Sequence, residues 1–449
     1  MKPYSAAYVP IGVPTFHLES AQQQFEVSAA LLRRLCPDVT VPGKMLLTLP
    51  DLAAYLDTLE AAGPDLIVLQ NVTFANAAYA AEVCGRFSCP VLLWTLREPV
   101  QDGGRLRLNS LTGAYSAANT MKALGVRFLY VYGAPQEEAV EKTLRAVLEA
   151  GRVRSRMRGL RIASVGHTPQ GFGFGRALDT EMQAVFGARL ESIEARELIA
   201  RAESCSEEDC RTYLDKAQQV MCGLEKTPEK NRLDFARLCK AYFSYVEENG
   251  IGALSSRCWP DFFTAYGTPV CGVLALLNDA GIAASCEADA YGALSMYAGM
   301  QLTGQPVFFG DPVSLNEDEN ALTFWHCGMA ACSLARRDTG AQVGVHPNRR
   351  IGPTLEFGCR AASDVTVYRF GRTPEGKFRL FVLSGEALDK PRQFSGTSLV
   401  VGLHGSRVRD VVEKSVLDGW EPHFAVAYGA IGTSLEALAA MLGIEVCRY

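Results

Sequence analysis

"SCEADAYGALSMYAGMQLTGQPVFFGDPVS", residues 285–314, decides how this chain is read. Glu287 follows the apolar run "IAASC", Asp311 follows "PVFFG", and a helical segment lies between them. Ionised carboxylates this near a core are costly unless something pairs with them. If the two runs are adjacent parallel strands, a right-handed crossover aims both carboxylates at one crevice. Two anions so placed repel unless a proton or a cation sits between them. Oxygen ligands suit Mg²⁺ or Mn²⁺, and an added imidazole shifts the balance towards Mn²⁺ or a later metal. The plainer reading makes the pair an N-cap and a turn residue, Asp311 preceding Pro312.

Working outward, the first third alternates strand-like runs ("AAYVPIGV", "DLIVLQN", "PVLLWTL", "FLYVYG") with helical stretches such as Ser20 to Leu35. That alternation implies a parallel sheet covered on both faces. The basic stretch "GRVRSRMRGL" reads as a linker, and the alternation restarts at "LRIASVG". After Asp311 the pattern changes to short strands separated by turns, among them "TLEFGC", "DVTVYRFG", "FRLFVLSGEA" and "SLVVGL". These imply antiparallel β structure, a barrel or sandwich. The expected fold class is α/β: two Rossmann-like parallel-sheet domains, 1–155 and 156–312, then a C-terminal antiparallel β-barrel-like domain, 313–449.

Bulk properties exclude several classes. With 449 residues the chain exceeds one hydrophobic core. A formal charge of −5 with no basic block argues against nucleic-acid binding. No apolar run is long enough to span a bilayer, and no signal-peptide pattern opens the chain, so no membrane association and a cytoplasmic location are expected. The 14 cysteines are scattered without a Cys-x-x-Cys pair and read as reduced, small hydrophobes.

Other motifs are weaker. "GHTPQGFGFG" follows a strand but matches neither the dinucleotide nor the phosphate-loop spacing. A loop touching a small ligand is the better reading. No G-x-S-x-G elbow is present. Of the six histidines, His326 in "TFWHCGMA" and His423 in "GWEPHFAVAYG" have apolar and aromatic neighbours. Each is a core residue by default and a metal ligand if the β domain folds over the carboxylates.

"RCWPDF", "CEADAYGAL", "PVFFGDPVS", "FWHCG", "SGEALDKPRQFSGT" and "GWEPHFAVAYGAIGTSLEALAAMLGIEV", with "LLWTLREP" and "GGRLRLNSLTG" earlier, resemble the L-fucose isomerase-like family, related to L-arabinose isomerases. The resemblance runs in order along nearly the whole chain. It implies metal-dependent interconversion of an aldose and a ketose through a cis-enediol, with Mn²⁺ or another divalent cation such as Mg²⁺ or Co²⁺. It further implies a homo-oligomer, hexameric or trimer-based, with sites at subunit interfaces. Carried over by residue, Glu287 and Asp311 are metal-binding carboxylates that also serve as base and acid. His423 is a metal ligand, with Pro422 where the family often has a second histidine, and His326 is a further ligand or a substrate contact. Trp94, Arg97, Arg107, Asn109 and Trp259 would contact the sugar. The implied substrate is an L-fucose- or D-arabinose-type sugar or, since relatives handle sulfonated hexoses, a sulfosugar such as sulfoquinovose. Arg349 and Arg350 would suit an anionic group if they reach the pocket. Two other classes fit the same organisation: a non-catalytic sugar-binding or sensor protein, and a metal-dependent sugar lyase or epimerase.

Overall fold

The computed structural model describes residues 4–61 and 63–449. The chain divides into two compact units: residues up to Arg156 with Thr433–Ile444, and Met157–Gly432 with Glu445–Tyr449. Among the described residues no helix is long and apolar enough to cross a membrane.

The first unit is built on a four-stranded parallel sheet in the order Ala6–Ile11, Leu66–Asn71, Val91–Thr95, Phe128–Tyr132. Its first three strands are buried along their whole length, which is why they read as continuous apolar runs. The basic stretch expected to be a linker is largely helical instead, within Glu138–Met157. Glu138 and Glu141 fall in that helix's first turn and Arg154 and Arg156 in its last, the polarity a helix dipole favours.

The second unit opens with another four-stranded parallel sheet, ordered Arg189–Ile193, Arg161–Val165, Ala253–Ser256, Ala283–Cys286. A barrel of six antiparallel strands follows among the described residues. Its ring runs Phe308–Asn316, Ala321–His326, Thr397–Leu403, Phe378–Ala387, Ala362–Arg372, Phe424–Tyr428 and back to the first. Closure leaves these strands no free edge, and Glu445–Arg448 adds in parallel outside Phe378–Ala387.

The helix Ala290–Thr303 explains one departure from expectation. It is buried continuously from Ala290 to Met300 and has no polar face. Such a helix needs cover on every side. The parallel sheet packs on it, and the barrel is tied to it by Tyr368 Oη donating to the Ser295 carbonyl (2.8 Å) and Phe370 N–H to Ser295 Oγ (3.0 Å). The strand after this helix therefore enters the barrel rather than the parallel sheet. Asp311 lies inside Phe308–Asn316, antiparallel to both neighbours, and not at the end of a second parallel strand.

Candidate metal and substrate site

Three adjacent barrel strands and the end of one parallel strand supply the site. Phe308–Asn316 pairs through Gly310 with Phe424 and through Asp311 with Trp325. That register sets His423, just before Phe424, and His326, just after Trp325, on the two strands flanking Asp311. A Cβ on Gly310 would lie 2.6 Å from the Trp325 carbonyl oxygen, so this close pairing requires glycine. Glu287 comes from the carboxyl end of Ala283–Cys286, where open α/β sheets present ligand-binding groups. Both Glu287 (φ 60°) and Ala288 (φ 55°) are left-handed, a conformation that non-glycine residues hold only when their surroundings impose it. The two together turn the chain sharply from strand to helix.

His423 is the hub. Its Nε2 lies 2.8 Å from Glu287 Oε2 and 3.4 Å from Asp311 Oδ1. Its Nδ1 lies 2.9 Å from Asp289 Oδ2. Asp289 is itself gripped by Arg369, whose Nη1 and Nη2 donate at 2.8 and 3.2 Å, and it caps the following helix by accepting the Gly292 N–H (2.9 Å). Arg369 Nη1 also donates to the His423 carbonyl (3.0 Å). Asp289, Arg369 and His423 are all buried. An Nδ1–H donated to Asp289 leaves the Nε2 lone pair facing Glu287 and Asp311, the arrangement in which histidines bind metals.

His326 is oriented the other way. Its Nδ1 accepts the backbone N–H of Cys327 (2.9 Å), which puts the proton of the neutral ring on Nε2. That Nε2 is buried without a hydrogen-bond partner among the described residues, 3.9 Å from Glu287 Oε2.

The electrostatics call for positive charge. Burial opposes a charge on His423, but Asp289 and Glu287 outweigh it and push the imidazole up to about 9. Burial works to raise the Asp289 carboxyl too, yet Arg369 and His423 hold it well below the usual range. For Asp311 burial prevails over His423 and His326, and its carboxyl is raised. Two carboxylates, an imidazole lone pair and an orphaned buried nitrogen fit a divalent cation with a ligand beside it. Donor atoms of Glu287, His326 and His423 lie within 4.8 Å of one another. The groups Cys271–Cys327–His346 and Cys286–His326–Cys327 meet the same spacing just behind. There Cys271 Sγ is 3.7 Å from Cys258 Sγ and 3.8 Å from Cys327 Sγ, and no disulfide joins the described cysteines.

Aromatic rings wall the site. Phe309 (4.8 Å), Phe174 (5.2 Å) and Phe172 (6.4 Å) surround His423, measured between ring centroids. Phe172 and Phe174 belong to the glycine-rich loop expected to touch a ligand. That loop sits close because a Cβ on Gly175 would be 2.8 Å from Asp289 Cα. Trp259 extends the wall, 6.1 Å from Phe172.

The remaining expected sugar contacts lie in the first unit. Trp94 is fully buried, its Nε1 donating to the Gly133 carbonyl (3.0 Å). Arg97 makes a two-pronged pair with Glu137, both bonds 2.9 Å. Arg107 reaches Asp102 at 3.4 Å. Asn109 (φ 52°) precedes the helix Ser110–Ala123 and accepts the Thr112 hydroxyl (2.7 Å). Glu98 holds this loop by accepting the backbone N–H groups of Arg107, Leu108 and Asn109. Sequence reasoning passed over Asp289 and Arg369. The signal for Asp289 was its place two residues after Glu287, at a helix start; Arg369, inside an apolar strand, gave none beyond its charge.

No family model matches the chain. A sulfoquinovose isomerase of Clostridium sp. (strain MSTE9) is 64% identical over 450 residues, covering 100% of both chains. The sulfoquinovose isomerase of Priestia aryabhattai is 35% identical over 100% of both, and that of Alkalicoccus urumqiensis 36% identical over 98% of each. Among solved structures, a periplasmic solute-binding protein from Actinobacillus succinogenes 130z with bound D-allose aligns at a TM-score of 0.18 and 11% identity over 68% of this chain and 92% of its own, a likeness that carries no argument. On the full-length matches, the chain belongs to the sulfoquinovose isomerase family.

Proposed function

We propose that the chain interconverts sulfoquinovose and its 2-ketose at a divalent cation, Mn²⁺ foremost, held by Glu287, Asp311 and His423 Nε2. The observation that carries this reading is the convergence of both carboxylates on one imidazole nitrogen, at 2.8 and 3.4 Å. The cation, when bound, supplies Lewis-acid polarisation of the sugar oxygens O1 and O2, where negative charge develops.

The chain's own groups do the rest. The Glu287 and Asp311 side chains are 15% and 30% exposed, and His423 Nε2 meets only one oxygen of each. The second oxygen of each carboxylate carries a proton between C1 and C2 and adjusts those on O1 and O2. Asp289 fixes the His423 ring, and Arg369 fixes Asp289. His326 Nε2–H donates to a sugar oxygen rather than binding the cation, as its Cys327 contact supports. Phe172, Phe174 and Trp259 keep water off the reacting end and orient the sugar. Resemblance to L-fucose isomerases also supports a trimeric or hexameric homo-oligomer, which sedimentation analysis tests.

The direct test follows sulfoquinovose by NMR with EDTA-stripped protein, before and after adding Mn²⁺. The 2-ketose forms only after addition. Binding without turnover would instead favour a sensor, and carbon–carbon cleavage a lyase.

A further inference from the structure

A sulfonated hexose held by O1 and O2 carries a full negative charge at its far end. That charge must be kept from Glu287, Asp311 and Asp289, and some group must replace the water it loses. The aromatic wall leads from His423 through Phe172 to Trp259, and its next member is a cation. The Arg349 guanidinium carbon lies 5.0 Å from the Trp259 ring centroid and 5.2 Å from that of Phe263.

Arg349 has no carboxylate partner among the described residues, unlike several arginines of this unit. In this unit Arg257 ends on Asp261 at 2.7 Å, Arg372 on Glu181 at 3.0 Å and Arg369 on Asp289 at 2.8 Å. The Arg349 guanidinium has neither an ion pair nor a hydrogen-bond acceptor among the described residues, and the side chain is half-buried. What holds it is contact with both rings plus a tight turn in which Arg349 N–H donates to the His346 carbonyl (3.2 Å), with the His346 ring edge-on to Phe263 at 4.9 Å. Contact with aromatic rings uses none of a guanidinium's hydrogen-bonding capacity, so its N–H donors are left to bind an oxyanion through paired hydrogen bonds. Arg176, at the other end of the glycine-rich loop, suits an anion less well. It already donates to Thr168 Oγ1 (3.2 Å), and it lines a cavity shared with the Glu421 carboxylate.

We infer that Arg349, packed against Trp259 and Phe263, is the receptor for the sulfonate group and sets the preference for sulfonated over plain hexoses. This rests on the isomerase reading above. The sugar lies along Phe172 and Trp259 with its reacting end at His423 and its anionic end at the guanidinium edge.

The test compares wild type, Arg349→Met and Arg349→Lys in the Mn²⁺-loaded full chain, with sulfoquinovose and quinovose, the same sugar lacking the sulfonate. Methionine keeps apolar bulk against the rings and removes the charge. The expected result is a loss in kcat/KM on sulfoquinovose of about 100-fold for Arg349→Met, carried mainly by KM, as for removal of a charge-assisted bond to an anion. Partial recovery in Arg349→Lys and unchanged handling of quinovose, read as KM or as inhibition constant, complete it. Retention of kcat/KM within threefold in Arg349→Met, or an equal loss of affinity for both sugars, would overturn the assignment. Inactivity of the wild type on sulfoquinovose would count against the isomerase reading itself, while quinovose and sulfoquinovose binding to the three proteins would still decide the role of Arg349.

Discussion

Asp289 Oδ2 and His423 Nδ1 lie 2.9 Å apart, with both side chains only 1% exposed. The contact fixes which imidazole nitrogen faces Glu287 and Asp311. Replacing Asp289 by Asn keeps the shape but removes the charge and lets the ring turn or change tautomer. Mn²⁺ affinity is expected to fall about 10- to 100-fold, the usual cost of losing such a partner. Calorimetric titration reads this directly, and unchanged affinity would show that Asp289 only caps its helix.

Arg369 is the counter-charge to Asp289 and is fully buried. Arg369→Met leaves the Asp289 carboxylate without its main partner in a dry interior. A destabilisation of about 3–5 kcal/mol is expected, since breaking a buried pair strands a charge. The double variant with Asp289→Asn should recover part of that loss. Denaturant unfolding of the four proteins measures both.

In the proposed mechanism Glu287 and Asp311 both hold the cation and exchange protons, and Glu287→Gln and Asp311→Asn each remove that charge. Activity on sulfoquinovose is expected to drop about 10³-fold or more in each, with circular dichroism unchanged. Near-normal turnover in Glu287→Gln would remove it from the mechanism.

In the first unit, the Arg97 hydrogen bonds, with help from the Ala134 N–H, lower the Glu137 carboxyl from 4.5 to about 2. A carboxyl lowered on folding stabilises the fold fully above its ordinary pKa, and that support fades as pH falls from about 4.5 towards 2. Arg97→Ala should return most of the shift, so that Glu137 titrates nearer 4.5 by carbon-detected NMR. An unmoved titration would mean that Arg97 is not held by Glu137 in solution.

The alternating layers were legible because fully buried parallel strands such as Leu66–Asn71 and Val91–Thr95 carry a continuous apolar signal. Glu287, Asp311 and His423 were legible as unusual residues beside apolar runs, and they do converge. The route by which Asp311 arrives was not. "PVFFGD" reads alike whether its strand joins a parallel sheet or a barrel, and the all-round burial of Ala290–Met300 decides between them. The strand Ala321–His326 and the helix Val408–Leu417 are not among the elements expected from the sequence, although His326 is among the expected ligands. Asp289 and Arg369 meet across 80 positions of sequence, a distance over which local pattern carries no information. Whether Arg349 reaches a pocket cannot be read from its local sequence, because its partners, Trp259 and Phe263, lie far back in the chain.

The central claim is that one cation is gripped jointly by Glu287, Asp311 and His423. Titrating EDTA-stripped protein with Mn²⁺ by calorimetry, for wild type and His423→Asn, tests it most directly. One site per chain in the wild type, lost in the variant together with isomerisation, is the predicted result. A wild type that binds no Mn²⁺, or a variant that binds it equally well, would contradict it.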